Sequence, residues 1–358
     1  MHQIFKKILL ENNGRSYYRV AEHLFAVECS DSALLQYMKN YEPFAVEELL
    51  GERRKAKGER REGEGIFTLR VERHEARGER RKARGEEWTH VLTDNTEEDM
   101  PRIEVYRSSL EDARGASYSL EDASLSAPQK SADFSGTPLQ FRGGEWLFRV
   151  AMVANAPVCC EIECNEDFTQ GVLYIMPDCQ DIRFCIDNAL MLLFAFRTAP
   201  MMTLEMHAAV VVRGEGRGYL FLGHSGTGKS THARQWLAAF DDAWLLNDDN
   251  PILRVMEDGE VRVYGSPWSG KTPCYKNAYA RVGGIVKLSQ APHNKIRTIS
   301  LPEAYAYMLS SASGMKMDRH MADCMYESIK HVITHVKCYH MECLPNVEAA
   351  EVAQRGMA

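Results

Sequence analysis

A chain of 358 residues is long enough for two domains with cores of their own, and 45% apolar with 26% charged residues is ordinary for a soluble globular protein. The net charge of −7 argues against a dedicated nucleic-acid binder, and ten cysteines are too dilute in this length for a disulfide scaffold. The opening residues, MHQIFKKILLE, lack the apolar core and cleavage site of a secretory signal, and the longest apolar run, 189–196, is far short of a membrane span. A reducing, cytoplasmic setting with no membrane and no nucleic-acid partner is therefore expected.

Residues 1–50 alternate in short runs, at 17–20 and 24–27, and read as strands and turns of a β-rich unit. The composition then shifts. GERRKA occurs at 51–56 and again at 78–83, and SLEDA at 109–113 and 119–123, copies too short and uneven for a solenoid. Interleaved glutamates, and the lack of an aromatic stacking platform, make this a solvated charged segment rather than an RNA-binding patch. The stretch 51–135 reads as a low-complexity insertion in the N-terminal unit, with strand-like alternation at 65–73 and 102–107. Strands follow at 145–153, 157–164 and 171–176, and Cys159, Cys160 and Cys164 among them read as small core residues. A buried helix is expected over 187–200, linking a β-rich N-terminal domain (1–195) to a second domain (196–358).

From 201 onward the pattern is α/β. A strand at 203–212 carries one polar intruder, His207, and a glycine-rich hairpin leads to a second strand at 219–222. Residues 223–230, GHSGTGKS, then fit G-x-x-x-x-G-K-[ST] with a helix expected to follow over 231–240. Strand, glycine loop and helix in that order form a phosphate cradle. Gly223, Gly226 and Gly228 let successive amides point inward, with Ser225, Thr227 and Thr231 beside them. Lys229 would reach the β- and γ-phosphates, and the Ser230 hydroxyl would hold Mg²⁺. The strand at 243–246 ends in Asn247-Asp248-Asp249-Asn250, where one carboxylate can hold the metal and the other face an attacking hydroxyl. A second turn, 265–272, contains Lys271 and could close over phosphate or substrate. A further strand (283–288), a basic loop (291–297), a helix (302–310), His331 and His335 four apart on a helix, and a strand at 337–343 complete the chain. Zinc is disfavoured in this tail because alternation puts Cys338 and His340 on the strand face opposite Cys343.

The loop at 223–231, the Asp248-Asp249 pair and the turn at 265–271 together resemble the kinase fold shared by HPr kinase/phosphorylase and phosphoenolpyruvate carboxykinase, and within it the HPr-kinase-like proteins of bacteria. The resemblance covers roughly residues 201–300. It implies a P-loop kinase domain of that type and ATP with Mg²⁺ as cofactors. It also implies Asp248 as proton acceptor, Asp249 with Ser230 on the metal side, and His207 in the place of that family's histidine one strand before the loop. His207 and Lys271 would orient the base and neutralise transferred charge. The chain departs from HPr kinase at His224 and Thr231, where that family carries acidic residues. The expected activity is phosphoryl transfer from ATP to a hydroxyl, with a protein or peptide serine as acceptor and homo-oligomeric assembly open. A carboxykinase-like enzyme on a small acid and a non-catalytic ATP-binding module remain alternatives.

Overall fold

The computed structural model describes residues 15–29, 31, 33–46, 67–73, 88–94, 102–108, 145–153, 155–270 and 272–357. It is a mixed α/β structure that groups into two compact units, Met1–Phe67 with Leu190–Ala358 and Thr68–Ala189. The boundary expected at 195/196 falls inside a helix, and residues before Thr68 group with the C-terminal half. The reason is side-chain packing described below.

The chain begins with a hairpin, β1 (Arg15–Val20) and β2 (His23–Cys29), paired from Arg15↔Glu28 to Val20↔His23. Its tight turn is made by Ala21 and Glu22, both at positive φ. A 3-10 stretch, Leu34–Phe44, follows where turns were expected. The second unit is a sheet in the order β3-β8-β7-β6-β5-β4. Its strands are β3 (Phe67–Arg73), β4 (Trp88–Asp94), β5 (Arg102–Ser108), β6 (Glu145–Ala151), β7 (Val158–Asn165) and β8 (Gln170–Ile175). Three of these strands lie within the stretch read as an insertion; the remainder of 51–135 lies outside the described residues. Cys160 and Cys164 are buried on β7, two turns of the pleat apart, as core residues are.

Helix α1 (Ile182–Thr198) follows. With the next turn it is long and apolar enough to cross a membrane by length and composition, although no uninterrupted apolar run is. Leu190, Leu193 and Phe194 on it are fully buried, and Phe194 packs against Phe25 and Trp268.

The larger sheet of the first unit begins with β9 (Thr203–Met206) and β10 (Ala208–Arg213). These were expected as one strand. They are two because β9 pairs with β13 (Ile252–Val255) and β17 (Ala312–Ser313), whereas β10 pairs with β11 (Arg217–Leu222) and β12 (Trp244–Asn247). His207 is the residue at the switch. The rest of the sheet is β14 (Val261–Tyr264), the long β15 (Tyr279–Gln290), β16 (Lys295–Thr298) and β18 (Cys338–Cys343). β16 occupies part of what read as a basic loop, because β18 offers it an antiparallel edge. β15 runs parallel to β11 on one side and to β18 on the other, so three strands end at the same edge.

Alternation along β10 decides the layering. Ala208, Val210 and Val212 face a cluster with α3 (Leu301–Ser311) and α4 (Arg319–His335), through Met308, Met325 and Ile329. Ala209 and Val211 face the opposite cluster, with α2 (Lys229–Ala239) and α5 (Val347–Met357), through Trp236 and Ala350. Period-two patterning thus sandwiches the sheet between two helix pairs.

The N-terminal hairpin belongs to this unit by direct contact. The Trp268 indole donates to Tyr41 Oη at 2.7 Å, Asn40 donates to the Pro267 carbonyl at 2.9 Å, and Arg254 donates to the Ala21 carbonyl at 2.8 Å. His23 lies buried with Nε2 2.9 Å from Thr203 Oγ1. Burial, with the Arg254 and Arg197 charges adding to it, pushes His23 from its ordinary 6.5 down to about 3. The native state therefore holds this imidazole neutral while the unfolded chain protonates it near 6.5, so its contribution is full above pH 6.5 and is lost as pH falls toward 3. The stability advantage of wild type over His23→Gln, from urea midpoints, should shrink between pH 7.5 and pH 5; an advantage that stays constant or grows on acidification contradicts the linkage.

Candidate functional site

At the end of β11 the backbone turns through Gly226 and Gly228, at φ +77° and +104°, a region only glycine enters without strain. Thr227 N–H donates to the His224 carbonyl at 3.1 Å. None of the other amides from Ser225 to Thr231 donates to an acceptor among the described residues, and no side chain caps α2. Its first turn carries no acidic residue either. A helix start with free amides and an uncompensated positive pole is a place where an anion can be held. α2 is seated by Ala233 and Trp236 against Phe221, and within the helix the Trp236 indole donates to His232 Nε2 at 3.1 Å.

Lys229, the first residue of α2, is buried, and its ammonium folds back beneath the loop. It donates to the carbonyls of Gly223 at 3.0 Å and His224 at 3.4 Å, and lies 2.9 Å from His207 Nε2. The same Nε2 is 3.4 Å from Asp249 Oδ1. One nitrogen cannot serve both neighbours at once. When Lys229 is charged and donating, Nε2 is bare and offers Asp249 no proton; only when Lys229 leaves can Nε2 carry a proton toward Asp249. Burial lowers the Lys229 pKa from its ordinary value, and the Asp249 charge works against that. A site of this kind gains from a bound anion that satisfies the ammonium.

The two carboxylates stand on a turn built by Asn247. Fully buried, Asn247 accepts from the amides of Asp249 and Asn250, both at 2.9 Å, and donates to Ser266 Oγ at 3.1 Å and the Trp268 carbonyl at 3.0 Å. Ser266 Oγ in turn donates to the Asn250 carbonyl at 2.6 Å. The second glycine turn is thus the foundation of the aspartate turn, and it also reaches the site. A Cβ placed on Gly270 would stand 3.3 Å from the Asp249 carboxyl carbon. Lys271, next in the chain, lies outside the described residues. Asp249 is partly exposed beside His207, whereas Asp248 is 3% exposed and its Oδ2 has no hydrogen-bond partner among the described residues.

Two residues that the sequence did not flag lie here. Glu205, on β9 two residues before His207, is 1% exposed with neither carboxylate oxygen hydrogen-bonded among the described residues. Burial, then the charge of Asp249, pushes it up to about 8, so it carries a proton at neutral pH. Lys287, on β15 beside Leu222, adds a second positive charge that lowers the Lys229 pKa. In the tail, no group of three or more His, Cys, Asp or Glu side chains among the described residues is arranged to hold a metal. His331 and His335 stack instead, with ring centroids 4.0 Å apart. A magnesium ion bound with a phosphate needs no such cage, only one or two carboxylates and retained waters, and the half-open Asp249 carboxylate suits that demand.

No family model matches the chain, and no curated protein matches it. Among solved structures it is distantly similar to the Hpr(Ser) kinase/phosphatase from Coxiella burnetii, at 13% identity, covering 42% of this chain and 94% of that one, with a TM-score of 0.26. A likeness that loose carries no inference about chemistry, which has to come from this chain's own side chains.

Asn247 ties the aspartate turn to the second glycine turn by four hydrogen bonds, two to each, so Asn247→Ala should cost about 2–4 kcal/mol of unfolding free energy. Chemical denaturation measures this; a loss below about 1 kcal/mol would mean the turn holds itself.

Proposed function

We propose that the loop at 223–230 holds the β- and γ-phosphates of ATP, and that the chain transfers the γ-phosphoryl group to a hydroxyl, with a serine in a protein or peptide as acceptor. The observation that carries this reading is the Lys229 ammonium. It is buried beneath a helix start with free amides and lies within the field of two aspartates. A neutral ligand would leave that ammonium with no negative charge in contact and those amides with no acceptor; a phosphate supplies both.

In this reading Lys229 and the free amides of Gly226 and of Gly228 to Ser230 bind and orient the phosphates, with Ser225, Thr227 and Thr231 lining the loop. Ser230 and Asp249 would hold Mg²⁺, whose contribution when bound is to neutralise charge on the transferred group. The acceptor oxygen forms its bond to the γ-phosphorus as the bridging P–O bond to ADP breaks, and the hydroxyl proton passes to the Asp248 carboxylate. His207, released as Lys229 turns to phosphate, can donate an Nε2–H to Asp249, fixing that carboxylate. Glu205, carrying its own proton beside Asp249, adds no second negative charge to the site. The ten thiols are all free, in keeping with a cytoplasmic setting.

Three variants test the assignment. Lys229→Met should lower single-turnover ADP release by roughly 10²-fold or more, as losing a charged donor to a developing anion does. Asp248→Asn should bind ATP·Mg²⁺ nearly as wild type and lose transfer by about 10²-fold. Asp249→Asn should recover part of its activity as Mg²⁺ or Mn²⁺ is raised. Metal rescue of Asp248→Asn alone reverses the two roles. Wild-type rates in all three folded variants, or ATP binding by wild type with no ADP ever released, overturn the catalytic reading.

A further inference from the structure

Registers across the sheet place Ala208 beside Leu222, Leu222 beside Lys287, Lys287 beside His340, and His340 beside Arg297. Residues in register on neighbouring strands share a face. The row is apolar at Ala208 and Leu222, both in the cluster under α3 and α4, and then becomes basic for three strands in succession. It lies near the ends of the parallel strands β11, β15 and β18, the edge at which open α/β sheets take their ligands. The end of β15 is tied to the loop, since Gln290 Nε2 donates to the Gly226 carbonyl at 3.2 Å.

The three basic groups are not equivalent. Arg297 is neutralised by Glu303, Nη2 to Oε1 at 2.8 Å. His340 is held by Ser289, whose Oγ lies 2.7 Å from Nε2, and burial lowers its pKa. Lys287 is half-buried and makes no ion pair among the described residues; its Nζ lies 5.8 Å from the centroid of the Tyr307 ring. Partial burial of an unpaired ammonium beside a second ammonium, Lys229, is unfavourable twice over. Lys287 stands on the β15 side of β11, whereas His207 and Asp249 stand on the β10 and β12 side, so the two cations flank the loop rather than duplicate each other.

The geometry points to Lys287, backed by His340 and Tyr307, as the acceptor subsite, which takes an oxyanion group, carboxylate or phosphate, carried by the molecule that receives the phosphoryl group. This rests on the phosphoryl-transfer reading for its place in the reaction, but not for the binding itself. The acceptor lies across the ends of β11, β15 and β18 with its anion on Lys287 and its hydroxyl toward the aspartates. A lysine rather than an arginine suits a point charge that tolerates more than one anion geometry.

The test uses the full chain and two probes, inorganic phosphate and succinate, titrated by calorimetry against the ADP·Mg²⁺-loaded protein and against the nucleotide-free protein. Wild type should bind at least one of them. Lys287→Met should weaken that binding by about 10-fold or more while ADP affinity stays within about twofold, and Lys287→Arg should retain most of it. A preference for phosphate or for succinate names which oxyanion the acceptor carries. Unchanged anion binding by folded Lys287→Met, or no anion binding by wild type in either state, overturns the subsite. Failure of ADP to bind wild type would instead count against the phosphate-loop reading, and the nucleotide-free titrations would still decide the subsite.

Discussion

A buried ammonium needs partners, and the Lys229 ammonium has been given only weak ones: two backbone carbonyls and a histidine nitrogen that cannot be protonated while it accepts. Everything around the loop follows from that constraint. His207 lies where β9 ends and β10 begins because the strand there changes partners, and this puts its ring over the lysine. The aspartate turn is near enough to work against the lowering of the lysine's pKa by burial, and Glu205 is buried beside Asp249 with a proton of its own, so it adds no further negative charge.

The surroundings are unusually distant in sequence. Asn247 builds the aspartate turn, Ser266 and Trp268 hold Asn247, and Tyr41 and Asn40 hold the segment carrying Trp268. The 3-10 stretch is therefore part of the support of the site, and with the hairpin's contacts to Arg254 and Thr203 it ties these residues to the C-terminal half. The mechanical chain runs from the 3-10 stretch to the carboxylate turn through buried, hydrogen-bonded polar groups.

The loop region was legible in the sequence because its signals are local: an apolar strand, glycines where φ must be positive, and a helix directly after. The aspartate turn was legible for the same reason, since Asn247 to Asn250 are contiguous. What was hidden depends on pairing between remote segments. Glu205 looks like an ordinary polar position in an apolar strand until β13 and β17 cover it. Lys287 sat inside a run that read simply as a buried strand, and only its parallel register with Leu222 brings it to the loop. Alternation alone could not divide 203–212 into two strands, because the break is set by which strands lie alongside. The turn at 265–272 read as a possible cover for substrate; its polar atoms chiefly support Asn247, and it meets the site at Gly270.

The most direct measurement is a crystal structure with a non-hydrolysable ATP analogue and Mg²⁺. The expected result has the Lys229 ammonium moved off His207 and onto the β- and γ-phosphates, the amides of Gly226 and of Gly228 to Ser230 pointing at phosphate oxygens, and the metal against Ser230 and Asp249. A nucleotide bound elsewhere, or bound at the loop with Lys229 still on His207 Nε2, would contradict it.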